Sequence, residues 1–238
     1  MDLVIWCCVW VCVGVCLILA IWGWLMIKYQ PLRFCIDAPL RQCHSYDPVT
    51  FQNTVSTGSV VLFSGGSKTQ RDLRSLIRSH FDHCSVLINP RRSETNPKVL
   101  VWESDIGQYK NPGTRIIPLE KKLKRWKGFR FFVLLRFVGP PVDETLLETH
   151  VQTYAGTPLH TTTGLVRYFF PWLFSRPTQD ETMEERGVFC SELVYQCLMD
   201  VGVVREENSW GFSPGEFLKI NQYVIAGRAY APPEVYYF

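Results

Sequence analysis

The stretch Gly187–Val194, which reads GVFCSELV, places a cysteine where a helix over Phe189–Val201 is predicted to begin. Cys190 would lie at the positive end of the helix dipole, near backbone N–H groups that lack partners within the helix. Both effects favour the thiolate, which is the nucleophilic form. The pattern therefore predicts a nucleophile, and its alternative is a small cysteine packed in a core. The apolar face behind Cys190 is predicted to be formed by Leu193, Val194, Cys197, Leu198 and Val201.

A thiol nucleophile needs a neighbouring base, and the base needs a partner that orients it. His83 opens one predicted strand and Glu103 closes the next, and the polar segment Asn89–Lys98 between them is typical of a hairpin loop. Pairing Asn89 with Pro97 would place His83 directly opposite Glu103. A shift of one residue would place them diagonally, still within reach of long side chains. The three side chains would then form a Cys-His-Glu triad, and the alternative is a cross-strand polar pair without chemistry.

The N-terminal stretch Leu3–Ile27 contains no charged residue. About 20 apolar residues span a bilayer, so the stretch predicts a transmembrane helix. Basic residues follow the stretch and only Asp2 precedes it, which favours a cytosolic C-terminal part. The predicted organisation is a transmembrane anchor at residues 1–28, a linker at 29–57 and a globular domain at 58–238.

Composition narrows the function classes. The 238 residues are 47% hydrophobic and 20% charged, which excludes a disordered chain. A net charge of +3 is too close to balance to indicate a nucleic-acid partner. The nine cysteines include no CxxC pair, so a zinc site of the usual spacing is not expected, and neither another metal nor a cofactor is predicted. A few strands and segregated helices predict an α+β fold.

Four motifs occur in a fixed order along the globular part. They are GSVVLF at Gly58–Phe63, FDHCSV at Phe81–Val86, VWES at Val101–Ser104 and FCSELV at Phe189–Val194. Together they resemble the circularly permuted NlpC-like branch of the papain-fold thiol hydrolases. That branch has bacterial and poxvirus members and is related to the lecithin–retinol acyltransferases. The resemblance covers roughly Gly58–Gln222.

This resemblance implies a permuted papain-like domain, with an antiparallel sheet packed on helices. The transmembrane helix predicted from Leu3–Ile27 would precede this domain. It implies that Cys190 is the nucleophile, His83 the general base and acid, and Glu103 the orienting carboxylate. The expected function is a membrane-anchored hydrolase that cleaves an amide, ester or thioester bond. The expected location is a single-pass membrane protein with a cytosolic C-terminal domain, in a virion or host membrane if the protein is viral.

Two other functions stay open. Leu159 replaces a tyrosine expected by the resemblance, and this favours a catalytically idle binding or structural module. The aromatic segment Leu165–Phe174 favours acyl transfer or phospholipid cleavage if it binds acyl chains, or else belongs to the core. The basic stretch Lys121–Arg130 would contact anionic headgroups or be a solvated surface. The expected partners are a membrane and a peptide or acyl-lipid substrate, and the sequence indicates no oligomeric state.

Overall fold

The computed structural model describes residues 42–77, 79–89, 98–105, 112–125, 131–159, 187–205 and 212–237, together with Gly14. Within these ranges the chain is an α+β domain, which confirms the predicted class. The strands are β1 Gln42–Ser45, β2 Val60–Phe63, β3 His83–Ile88, β4 Leu100–Asp105, β5 Gly113–Pro118, β6 Phe131–Leu135, β7 Phe137–Val138, β8 Ala229–Tyr230 and β9 Glu234–Tyr237. The helices are α1 Pro48–Thr54, α2 Lys68–Leu76, α3 Leu119–Arg125, α4 Glu144–Tyr154, α5 Cys190–Asp200 and a 3-10 helix Pro214–Gln222.

The main sheet has seven strands in the order β1-β9-β6-β2-β3-β4-β5. Most neighbours pair antiparallel, but β1 pairs parallel with β9, from Gln42 opposite Glu234 to Ser45 opposite Tyr237. The permuted papain-like architecture, predicted with an antiparallel sheet, is thus corrected to an α+β domain with a mixed sheet. Strand β1 comes from the segment predicted to be a linker. It lies at one edge of the sheet and pairs in parallel with β9, which follows the other named strands in the chain.

The predicted membrane helix also requires correction. In the ranges given above, no helix combines the length and the apolar character needed to cross a bilayer. The two longest α-helices there, α4 and α5, have 11 residues each, so each extends about 16 Å, whereas a bilayer core is about 30 Å thick. The single-pass location depended on that helix and is corrected with it. The predicted segment Leu3–Ile27 lies outside the described residues, apart from Gly14.

The sheet carries apolar side chains on both faces, because successive side chains of its central strands point alternately into two hydrophobic clusters. In β2, Val60 and Leu62 belong to the cluster that packs against α5, whereas Val61 and Phe63 belong to the opposite cluster. Strand side chains alternate between faces, so four consecutive apolar residues give a strand that is buried on both sides. Leu119, the first residue of α3, packs in the second cluster. The helices α3 and α5 therefore bring side chains to the central strands from opposite faces.

Candidate active site

Cys190 is the first residue of α5, as the sequence predicts, and is half-buried. The N-cap residue, Phe189, provides no side-chain hydrogen bond to the first turn. The segment before the helix is tied to the sheet, because the Ser104 hydroxyl of β4 donates to the Val188 carbonyl at 2.8 Å. The Val188 N–H donates in turn to the Pro158 carbonyl at 3.1 Å. These contacts fix the start of α5 against β4.

His83 and Glu103 are brought together inside the protein. His83 is the first residue of β3, pairs with Phe63 of β2 and is buried. Its Nε2 lies 2.8 Å from Oε2 of Glu103, whose side chain is fully buried. With the carboxylate accepting the Nε2 hydrogen, Nδ1 is the other ring nitrogen of His83. The charge of Cys190 and hydrogen bonding with it raise the pKa of His83.

The strand register differs from both predicted alternatives. Val86 pairs with Trp102 and Ile88 with Leu100. Extended by one residue, the same register places Ser85 opposite Glu103. The register is thus shifted by two residues from the predicted one, and His83 is a diagonal neighbour of Glu103. A shift of two residues keeps every side chain on its original face of the sheet, whereas a shift of one would reverse the faces. The predicted proximity therefore holds although the predicted pairing is wrong.

Two further charged residues complete the site. The Lys122 ammonium of α3 lies 2.7 Å from Glu103 Oε2 and 2.7 Å from Asp105 Oδ2, with no exposed side-chain surface. It also lies 3.3 Å from His83 Nε2. The Ser85 hydroxyl donates to the same Glu103 oxygen at 3.1 Å. A single carboxylate oxygen thus has an imidazole, an ammonium and a hydroxyl around it.

Lys122 was not predicted as a site residue, although the sequence contains a signal for it. Leu119 and Leu123 of α3 are buried and half-buried, and Lys122 lies between them at helical spacing, on the same inward face. The many basic residues of Lys121–Arg130 obscure this periodicity. Lys124 of that stretch is exposed, and residues 126–130 lie outside the described residues. The aromatic segment Leu165–Phe174 also lies outside them.

Electrostatics favour a thiolate–imidazolium pair. Burial and the Lys122 ammonium lower the pKa of His83, but the charge of the Cys190 thiolate, with hydrogen bonds to Cys190 and Glu103, raises it to about 9. The pKa of Cys190 is lowered well below its usual value, first by a hydrogen bond from the Cys84 thiol and then, against the effect of burial, by the charge and hydrogen bond of His83. Burial would raise the pKa of Glu103, but Lys122 and His83 hold it below its usual value.

The pKa values of the other two buried thiols described, Cys84 and Cys197, are raised rather than lowered. Burial, followed by interactions with Cys190, raises the pKa of Cys84 well above its usual value. Burial also raises the pKa of Cys197, with a smaller effect from Asp200. The thiolate is the reactive form of cysteine, so these environments single out Cys190 among the three.

His83, Glu103 and Asp105 each offer an atom that could bind a metal ion, and these atoms lie within 4.8 Å of one another. The Lys122 ammonium contacts all three side chains. A positive charge belonging to the protein is thus already placed among the potential ligands. A metal ion would have to displace this buried ammonium to bind here.

Comparisons with known proteins add little. No family model matches this chain, and no curated protein matches it. One solved structure with some similarity is titled metalloprotein yiiX from Escherichia coli O157:H7, DUF1105. The two share 16% sequence identity at a TM-score of 0.41, over 75% of this chain and 90% of that chain. This likeness is too distant to define the fold or activity of the present chain.

Proposed function

We propose that this protein is a cysteine hydrolase that cleaves an amide, ester or thioester bond, with Cys190 as the nucleophile. The observation that carries the proposal is the buried hydrogen bond of 2.8 Å between His83 and Glu103, at a histidine that interacts with a cysteine beginning a helix. Nucleophile, base and orienting group form the arrangement that covalent acyl transfer needs. The depressed pKa of Cys190 supports the same role.

The proposed reaction has two steps. The Cys190 thiolate attacks the substrate carbonyl carbon and forms a carbon–sulfur bond, while the carbonyl electrons move to oxygen. The His83 imidazolium then gives its Nδ1 proton to the leaving group as the carbon–leaving-group bond breaks. In the second step His83 takes a proton from water, the resulting hydroxide attacks the thioester, and the acid and the thiolate are released.

The oxyanion formed in each step would be stabilised by backbone N–H groups at the start of α5, including that of Cys190. Phe189, the N-cap residue, offers no side-chain acceptor there, so no cap oxygen competes for these hydrogens. Glu103 keeps Nε2 protonated and so presents Nδ1 to the reacting atoms. An oriented carboxylate of this kind stabilises the imidazolium without taking its proton.

The test uses the full chain with a panel of peptide amides, aryl esters and acyl thioesters. We expect release of the leaving group and a covalent acyl adduct on Cys190, detected by peptide mass spectrometry after acid quenching. The Cys190→Ala variant should fall to the uncatalysed rate. Cys197→Ala, a change to a thiol of the same helix that faces the core, is the matched control and should retain activity.

Two results would count against the proposal. Turnover by Cys190→Ala equal to that of the wild type would show that the thiol is not the nucleophile. Absence of any acyl adduct across all three substrate classes, in a folded protein whose Cys190 is alkylated normally, would favour an idle binding module instead.

A further inference from the structure

Lys122 is unusual because its ammonium lies in the interior, directly beside the proposed base. Lysine is almost never fully buried unless its charge is paired. Here the charge has two carboxylate partners, Glu103 and Asp105, at 2.7 Å each. These ion pairs explain how the lysine is accommodated but leave open what it does beside His83.

The contact between Lys122 and His83 is a repulsion whenever the imidazole is charged. Glu103 accepts the Nε2 hydrogen, so the two nitrogens, 3.3 Å apart, are both donors and cannot share a hydrogen bond. The ammonium therefore opposes protonation of the ring, as burial does, whereas the Cys190 thiolate favours it. The charge state of His83 depends on a balance between a fixed cation and an anion that the reaction consumes.

We propose that Lys122 is a positioning residue that holds Glu103 in place and drives His83 to release its proton to the leaving group once the Cys190 thiolate has added to the substrate carbonyl. This inference rests on the proposed function. Attack on the carbonyl carbon converts the thiolate to a neutral sulfur bonded to carbon and moves the negative charge to the carbonyl oxygen, at the backbone N–H groups that start α5. The imidazolium then loses the anion that stabilised it. The charge of the Lys122 ammonium does not change. Its repulsion of the imidazolium is then less opposed and favours transfer of the His83 proton to the leaving group.

Among the residues that the structure describes, several titratable groups around His83 enter this balance. The adjacent Asp82 is occupied by Arg74 at 3.0 Å and by the Gly65 N–H at 2.7 Å. The Asp105 carboxylate is paired with Lys122 itself. The other groups are Glu103 from β4, the Lys122 ammonium from α3, the Cys190 thiolate from α5 and the neighbouring Cys84 thiol from β3.

The test compares Lys122→Met, which removes the charge, with Lys122→Arg, which keeps it, and with Lys124→Met, an exposed position on the same helix. The first readout is the pH dependence of Cys190 alkylation by iodoacetamide, whose alkaline inflection reports the loss of the imidazolium proton. Removing a like charge at this distance should move that inflection upward by about one pH unit or more in Lys122→Met. Lys124→Met should leave it in place.

The second readout is the single-turnover rate of acyl-enzyme formation at pH 7 with the peptide amide, whose leaving amine must gain a proton as it departs. In Lys122→Met we expect this rate to fall at least about ten-fold, while alkylation at the same pH stays within about three-fold of the wild type. Lys122→Arg should recover most of the acylation rate. A purely structural lysine would instead lower alkylation and acylation together.

A further variant guards against poor folding of Lys122→Met. Asp105→Asn removes a partner of the ammonium and leaves its charge less compensated, so the inflection should move downward. An unmoved inflection in both variants, or normal acylation by folded Lys122→Met, would overturn the role of Lys122. Failure of the wild type to form an acyl-enzyme would instead refute the proposed function.

Discussion

The buried charges around Lys122 allow the effect of substitutions on the free energy of unfolding to be predicted. At 2.7 Å and an effective dielectric constant of about 20, each ion pair of Lys122 is worth about 6 kcal/mol of Coulomb attraction before desolvation. Desolvation costs several kcal/mol for each ion, so the intact cluster contributes little net stability. Removing one member leaves the others buried without full compensation. The net effect should then be destabilising for each single change and smaller than additive for two.

Lys122→Met leaves two buried carboxylates and should lower the free energy of unfolding by about 3–5 kcal/mol. Glu103→Gln leaves Lys122 paired with Asp105 and should lower it by about 1–3 kcal/mol. In the double variant, Lys122→Met with Glu103→Gln, fewer buried charges remain. The loss of unfolding free energy should therefore be smaller than the sum of the two single losses by about 1–3 kcal/mol.

The assay is urea unfolding followed by tryptophan fluorescence, with Lys124→Met as the exposed control. That control should stay within about 0.5 kcal/mol of the wild type. Additive losses, within about 0.5 kcal/mol, would show that Glu103 and Lys122 are not energetically coupled and would refute the reasoning.

Iodoacetamide at pH 6 should modify Cys190 at least about ten-fold faster than Cys197, because an ordinary thiol is only about 0.3% thiolate there. His83→Ala should reduce the difference without abolishing it, because the hydrogen bond from Cys84 still lowers the pKa of Cys190 and burial still raises that of Cys197. Equal alkylation of both sites in the folded wild type would contradict the prediction. By NMR, His83 should titrate near pH 9, its contribution to stability being complete below about pH 6.5 and lost as the pH rises through 9. In Cys190→Ala the pKa of His83 should fall, since burial and the charge of Lys122 then dominate. An unchanged pKa would show that Cys190 and His83 do not form an ion pair. Asp143→Ala should cost about 1 kcal/mol in thermal unfolding, because it removes the N-cap of α4, and Asp143→Asn should retain most of the stability.

Local patterns in the sequence were enough to predict several elements. An aspartate is a typical N-cap residue, and Asp143 caps α4 by accepting hydrogen bonds from two N–H groups of the first turn. The helix behind Cys190 ends at Asp200, within one residue of its predicted end. Both signals are local, since a capping side chain and an apolar face are set by residues close in sequence.

Features that depend on distant partners were not predictable in the same way. The strand Gln42–Ser45 is short and polar, and only its pairing with Glu234–Tyr237 makes it part of the sheet. The register of β3 and β4 depends on the geometry of the loop between them, which the sequence pattern leaves undetermined. The buried position of Lys122 contradicts the usual preference of lysine for water, and two carboxylates from another element make it possible.

The position of β9 has a consequence for synthesis of the protein. Glu234–Tyr237 come last in the chain among the strands named above, yet β9 lies between β1 and β6. On the ribosome, β1 therefore has no neighbour in this sheet, and one edge of β6 stays open, until the final strand has been made. Open strand edges recruit other chains, so stalled or truncated nascent products should associate with one another or require a chaperone.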